Sequence, residues 1–62
     1  MMKPFKIGNR IKHIRTGTYY TVVSAGKVNL PTGWCHCLSY QNDKGEMFTR
    51  TCDDFAGFIL VE

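Results

Sequence analysis

The sequence predicts an all-β fold of five short strands in a single domain. Segments rich in β-branched and aromatic residues are short, and turn signals containing Gly, Asn or Pro separate them. Apolar residues do not recur with helical spacing over more than one turn. With 62 residues, the chain has room for one domain, which we assign to residues 1–62 with a short N-terminal arm at residues 1–7.

The first two strands follow this arm. Residues 10–15 alternate in polarity, and residues 19–25 are rich in aromatic and β-branched side chains, so we predict a strand in each segment. Gly17 lies between them in a turn where a positive φ is favoured. Residues 26–33 carry two glycines and a Leu-Pro pair, which predicts an irregular loop. Loops of this kind often carry binding residues.

A central hairpin begins with a third strand at residues 34–41. Asn42 and Gly45 stand at the first and fourth positions of its turn, which is typical of a type I turn followed by a glycine bulge. In the resulting register Asn42 pairs with Glu46, Tyr40 lies opposite Phe48, Leu38 opposite Arg50, and His36 opposite Cys52. A four-residue loop would set Tyr40 against Met47 instead. We prefer the bulged register because it places Trp34, Leu38, Tyr40 and Phe48 together on one face, the predicted core side.

The chain ends with a helical turn and a last strand. Residues 51–55 contain Thr51 and Asp53, which suit the N-terminal end of a single helical turn. Residues 58–61 are wholly apolar, so we predict a strand that is buried or paired with the first one.

These elements resemble an SH3-like barrel. The sequence is also similar to a family of small bacterial and phage domains of unknown function, over roughly residues 10–61. The residues that carry this similarity are His13, Gly17, Tyr20, Val22, Trp34, Tyr40, Gly45, Glu46, Phe48, Thr49, Arg50 and Phe55. The resemblance implies a small five-stranded SH3-like barrel with one short 3-10 turn before the last strand, and it implies no established chemistry.

Charge is distributed unevenly along the chain. The net charge is +3, yet residues 1–27 hold six cations and no carboxylate, while all five acidic residues follow them. Such an asymmetry either attracts the two halves to each other or presents a basic face to an anionic partner.

We predict nucleic acid as the first candidate partner. Arg10 and Lys12 share one face of the first strand, and Tyr19 is expected on the matching face of the second. Cations for phosphate beside aromatic rings for base stacking are typical of nucleic-acid-binding modules. A solvated outer face of a hairpin has the same composition. The predicted nucleic-acid-binding residues are Lys3, Lys6, Arg10, Lys12, Arg15, Tyr19 and Lys27.

Protein binding is the second candidate. SH3-like folds hold extended peptides in aromatic-lined grooves, and the residues predicted to contact a protein partner are Trp34, Tyr40 and Arg50. A phage-type modulator of a host protein fits this hypothesis. An exposed strand edge in so small a domain also favours pairing with a second copy.

Other classes fit less well. Three cysteines without a secretory signal predict free thiols. Cys35 and Cys37 are expected on the face opposite His36, so they do not converge on a zinc ion, and we predict neither a metal nor a cofactor. The chain offers no oxyanion loop or substrate pocket, so we predict no enzyme. Without a membrane-length apolar run, a cytoplasmic protein is expected.

Overall fold

A computed structural model describes residues 4–62. They form five strands, namely β1 (Arg10–His13), β2 (Tyr19–Leu30), β3 (Gly33–Asn42), β4 (Met47–Thr51) and β5 (Phe58–Val61). All neighbouring strands are antiparallel, in one sheet with the order β4-β3-β2-β1-β5. The described residues contain no helix. The prediction of an all-β fold with five strands is confirmed.

The predicted register of the β3–β4 hairpin is confirmed. Tyr40 pairs with Phe48 and Leu38 with Arg50, while the Cys52 amide donates to the His36 carbonyl at 2.9 Å. The amide of Asn42 donates to the Glu46 carbonyl at 3.1 Å. The loop length and the alternation of apolar residues therefore select the same register.

The side chain of Asn42 holds this turn. Its Oδ1 accepts hydrogen bonds from the amides of Lys44 at 3.0 Å and Glu46 at 2.9 Å, and its Nδ2 donates to the Glu46 carboxylate at 2.8 Å. Gly45 has a φ of +86°, a conformation in which a side chain is strained. The hydrogen bonds that define this turn are therefore made among residues 42–46 themselves.

The predicted loop at residues 26–33 is wrong. β2 continues to Leu30 and pairs with β3 as far as Gly33, which leaves only Pro31 and Thr32 in the turn. Gly26 and Asn29 join the ladder because β3 supplies a backbone partner for each of them, and tertiary pairing overrides weak strand propensity. Gly33 belongs to β3 itself and pairs with Leu30. Pro31 lies in the turn, where the ladder does not need its missing amide proton.

The core is built on one face of the sheet. Ile11, Val22 and Leu38 are fully buried and come from three successive strands of the sheet order. Four further buried residues complete the core cluster, namely Tyr40, Cys52, Phe55 and Phe58. The ring of Tyr40 lies at its centre, with centroid distances of 5.0–5.8 Å to the rings of Tyr20, Phe48, Phe55 and Phe58. Aromatic rings in such edge contacts contribute a large share of the buried area in a small domain.

Trp34 does not belong to this core, although it shares the predicted core face. Its side chain is 70% exposed. β4 pairs with residues 37–41 of β3, and β1 pairs with residues 19–21 of β2, so neither strand reaches Trp34. The expectation that the large aromatic residues of β3 all align inward is therefore wrong for this position.

The last strand pairs with β1, as predicted. Arg10 faces Val61 and His13 faces Phe58 across the pair. Phe58 is buried, whereas Ile59 and Leu60 are about half exposed, because β5 lies at the edge of the sheet. Before it, the amide of Asp54 donates to the Thr51 carbonyl at 2.9 Å. Residues 51–54 thus form a hydrogen-bonded turn, and residues 4–62 contain no 3-10 helix of the kind predicted before the last strand.

Two chemically identical substitutions separate core packing from edge packing. Ile11→Val removes a methylene from a fully buried side chain and should lower the free energy of unfolding by about 0.5–1.5 kcal/mol. Ile59→Val, at a side chain that is 47% exposed, should cost clearly less. Urea denaturation followed by circular dichroism measures both, and equal costs would show that Ile11 is not a core residue.

Candidate functional site

The outer face of β1 and β2 brings three of the predicted residues together. Lys12 lies directly opposite Tyr19, and Arg10 lies opposite Thr21. Because residues two apart on a strand share a face, Arg10, Lys12 and Tyr19 project on the side away from the core. The guanidinium carbon of Arg10 is 5.4 Å from the centre of the Tyr19 ring, and the Lys12 ammonium is 5.5 Å from it. We call these three residues the basic cluster.

Tyr19 is accessible within this cluster. Its side chain is 41% exposed, and it also lines a cleft of about 440 Å³. The cleft lies between the start of β2 and the β3–β4 turn, and its lining residues are Thr18, Tyr19, Tyr20, Asn42, Asp43, Lys44 and Glu46. Tyr19 thus borders both the basic cluster and this cleft.

One cation of the basic cluster already has an anionic partner. Arg10 donates to both carboxylate oxygens of Asp43, at 3.0 and 3.2 Å, and to Thr21 Oγ1 at 3.2 Å. This fork geometry is the one in which arginine also binds phosphate. The hydrogen bond and the charge of Arg10 lower the pKa of Asp43, and the same bond raises the pKa of Arg10. Sequence reasoning did not pair these two residues, although the opposite charges of the two halves of the chain were the available signal.

Lys12 has no such partner. Among residues 4–62, only Arg10 and Arg50 form ion pairs, so Lys12 contacts Tyr19 without a neutralising carboxylate. Lys6 and Arg15 are exposed and flank the two ends of β1. The basic cluster therefore keeps a free positive charge although Arg10 is paired.

The remaining predicted basic residues lie apart from the basic cluster. Lys27 is on the extended part of β2, opposite His36 of β3. Lys3 lies outside the described residues. The predicted set is thus divided between the outer face of β1 and the β2–β3 hairpin.

The three residues predicted to bind a protein partner do not form one surface. Tyr40 is buried, and its hydroxyl accepts a hydrogen bond from Arg50 Nε at 2.8 Å. Arg50 also pairs with Asp54 at 3.0 Å, and its guanidinium carbon lies 5.2 Å from the Phe58 ring centre. The pKa of Arg50 is raised mainly by its hydrogen bond to Tyr40, and Asp54 makes a smaller contribution in the same direction. Tyr40 and Arg50 thus hold the fold together, while Trp34 is exposed at the far end of β3.

The cysteines and histidines do not form a metal centre. Cys35 and Cys37 are free thiols, as predicted. They alternate with His36 on β3, so their side chains lie on the opposite face. Within residues 4–62 no group of three or more His, Cys, Asp or Glu side chains could hold a metal ion.

No family model matches the chain, and no curated protein or solved structure is significantly similar to it. The resemblance to small bacterial and phage domains therefore stays a prediction. None of the described residues belongs to a helix with the length and apolarity that crossing a membrane requires. Any functional argument thus rests on the side chains themselves.

The ion pair of Asp43 predicts a pH dependence. Because Arg10 lowers the pKa of Asp43, the pair stabilises the fold above the pKa of an unfolded-state aspartate, about 3.9. That contribution is lost as the pH falls through the lower pKa of the folded state. In Arg10→Ala the pKa of Asp43 should rise towards its ordinary value, as measured by NMR titration of the carboxyl carbon. Lys44→Ala is the control, since Lys44 makes no ion pair in residues 4–62. An Asp43 pKa that is the same in all three proteins would contradict the pairing.

Proposed function

We propose that this protein is a non-enzymatic SH3-like β-barrel module that binds nucleic acid through the basic cluster. The observation that carries the proposal is the contact of Tyr19 with two cations, one of which has no carboxylate partner in residues 4–62. A phosphate can take the unpaired Lys12, while the exposed part of Tyr19 is available to a base or a sugar.

The barrel part of the proposal is supported by the strand order and by an irregularity in β2. The register between β2 and β3 shifts between Val22 and Ser24. A bulge bends a strand and increases its twist, so the two halves of the 12-residue β2 can contribute to two packed layers. β1 and β5 then belong to one layer, and β4 to the other.

The charge balance favours an anionic macromolecule over other partners. In residues 4–62, five cations take part in no ion pair, against three carboxylates, namely Glu46, Asp53 and Glu62. The five cations are Lys6, Lys12, Arg15, Lys27 and Lys44. Cations without internal partners release counterions when phosphate binds, which drives association and makes it depend on salt.

Three single substitutions test this interface. Lys12→Ala should weaken binding to oligonucleotides of different sequence by a similar factor and reduce the salt dependence by about one phosphate contact. Lys44→Ala is the matched control outside the basic cluster and should change binding less. Asp43→Asn should tighten binding, because it frees the Arg10 guanidinium for phosphate and steepens the salt slope by about 0.7 on a single strand.

A mobility-shift titration at several salt concentrations measures all three effects, with circular dichroism as the check on folding. No shift of single-stranded or duplex probes at low salt would overturn the proposal. Binding that Lys12→Ala and Asp43→Asn leave unchanged would place the interface elsewhere on the molecule.

A specific observation favours a second candidate, which is pairing with a second copy of this chain. Both edges of the sheet carry exposed apolar side chains, with Met47 and Phe48 on β4 and Ile59 and Leu60 on β5. The outer backbone groups of both strands find no strand partner within residues 4–62. Unpaired edges with apolar side chains favour intermolecular pairing.

The test of this candidate is the molar mass in solution. If β4 pairs with β4 of a second copy, light scattering should show a dimer at high protein concentration, and Met47→Lys should shift it to monomer by placing like charges at the edge. Leu60→Lys, on the other edge, is the control. A monomer at all concentrations would eliminate the second candidate without affecting the first.

A further inference from the structure

The long β2–β3 hairpin extends beyond the rest of the sheet. β1 pairs with residues 19–21 of β2, and β4 pairs with residues 37–41 of β3. Residues 26–36 therefore form a two-stranded ribbon that no third strand flanks within residues 4–62. At its base, the Cys52 amide that follows β4 donates to the His36 carbonyl at 2.9 Å. We call this segment the hairpin arm. An isolated two-stranded ribbon is marginally stable and buries little surface, so its exposed side chains add little to the core.

One face of the hairpin arm has an unusual composition. Lys27 lies directly opposite His36, and Asn29 lies directly opposite Trp34. Directly paired residues share a face, as do residues two apart on a strand, so these four side chains form one array. Residues 26–36 contain no carboxylate. The 70% exposed indole of Trp34 thus stands among a cation, an imidazole and an amide.

We propose that this array is a base-stacking subsite for single-stranded nucleic acid, with a base on the indole of Trp34 and a phosphate at Lys27. The inference rests on the proposed function and deepens it by naming the class of ligand. In a duplex both faces of each base are covered by neighbouring bases, whereas a single strand presents free faces to an aromatic ring. The basic cluster alone, which offers charge to any phosphate, does not make this distinction.

The polar surroundings of Trp34 argue against an apolar protein contact at the same place. A protein interface usually surrounds its aromatic anchor with apolar residues that exclude water. On this face the neighbours of Trp34 are Lys27, Asn29 and His36, all of which remain partly or fully solvent-accessible. The half-buried apolar pair Val28 and Cys35 lies on the other face of the hairpin arm.

The face of the hairpin arm that carries Trp34 lies on the opposite side of the sheet from the basic cluster. Trp34 shares its face with Leu38 and Tyr40, whereas Tyr19 shares its face with Thr21 and Gln41. A strand that contacts both surfaces has to pass around an edge of the sheet. Binding at each surface consequently has to be detected by a separate measurement.

Trp34 supplies the measurement for its own surface, because it is the only tryptophan in the chain. Titration of the full chain with an unlabelled oligothymidylate of about ten nucleotides should quench its intrinsic fluorescence, since a stacked base contacts the indole directly. A duplex of the same length and salt conditions should bind with little quenching. Lys27→Ala should require a higher oligothymidylate concentration for the same quenching, and Lys44→Ala should raise it less, because Lys44 lies in the β3–β4 turn outside the hairpin arm.

Substitution of the ring gives an independent measurement. Trp34→Ala should weaken single-strand binding about tenfold in a mobility-shift assay and leave duplex binding nearly unchanged. Trp34→Phe retains an aromatic face and should recover most of the lost affinity. Because Trp34 lies outside the core, both variants should fold, which circular dichroism checks.

The outcomes separate the two proposals. Single-strand binding that leaves the fluorescence of Trp34 unchanged would overturn the stacking subsite and leave the basic cluster as the nucleic-acid interface. Equal quenching by duplex and single strand would overturn the assignment of ligand class. No binding of either probe would overturn the proposed function, and the subsite with it.

Discussion

The hydrogen bond from Arg50 to Tyr40 is the interaction on which the packing of this small fold depends. The 2.8 Å bond joins β4 to the buried hydroxyl of β3, and the same guanidinium reaches Asp54 and lies over the Phe58 ring. Four parts of the chain thus meet at one side chain. A buried hydroxyl without a partner is costly, so Arg50 allows Tyr40 to place its ring at the centre of the aromatic core.

Electrostatics connects the fold to the proposed interface. The basic N-terminal part of the chain contacts the β3–β4 turn through the ion pair of Arg10 and Asp43. Asp43 therefore neutralises part of the positive charge of this face. Both side chains are largely solvent-exposed, and the pair therefore contributes little to stability. In the proposed interface the pair has a larger effect, because the carboxylate occupies the guanidinium fork that a phosphate would take. Lys12 keeps the cationic character of this face.

Sequence reasoning succeeded where local chemistry decides the structure. The β3–β4 register follows from Asn42 and Gly45, whose side-chain bonds and positive φ act within a few residues. It failed for residues 26–33, whose glycines, asparagine and proline predict a loop. Residues 26–30 are strand because β3 pairs with them across the sheet, and the composition of one segment does not reveal its partner. Trp34 was wrongly predicted to lie in the core for the same reason. The alternation of polar and apolar residues assigns a side chain to one face of the sheet, but it does not show where the neighbouring strands end.

By itself the sequence determined the all-β class, the turns at Gly17 and Gly45, and the grouping of Arg10, Lys12 and Tyr19 on one surface. These features depend on backbone conformations and on a period of two residues, both of which are local properties. Only the tertiary structure decided that Asp43 neutralises Arg10, that Tyr40 and Arg50 are structural, and that Trp34 stands exposed on a hairpin arm. Each of these depends on contacts between residues distant in the chain, and a one-dimensional pattern of polarity does not specify which distant residues meet.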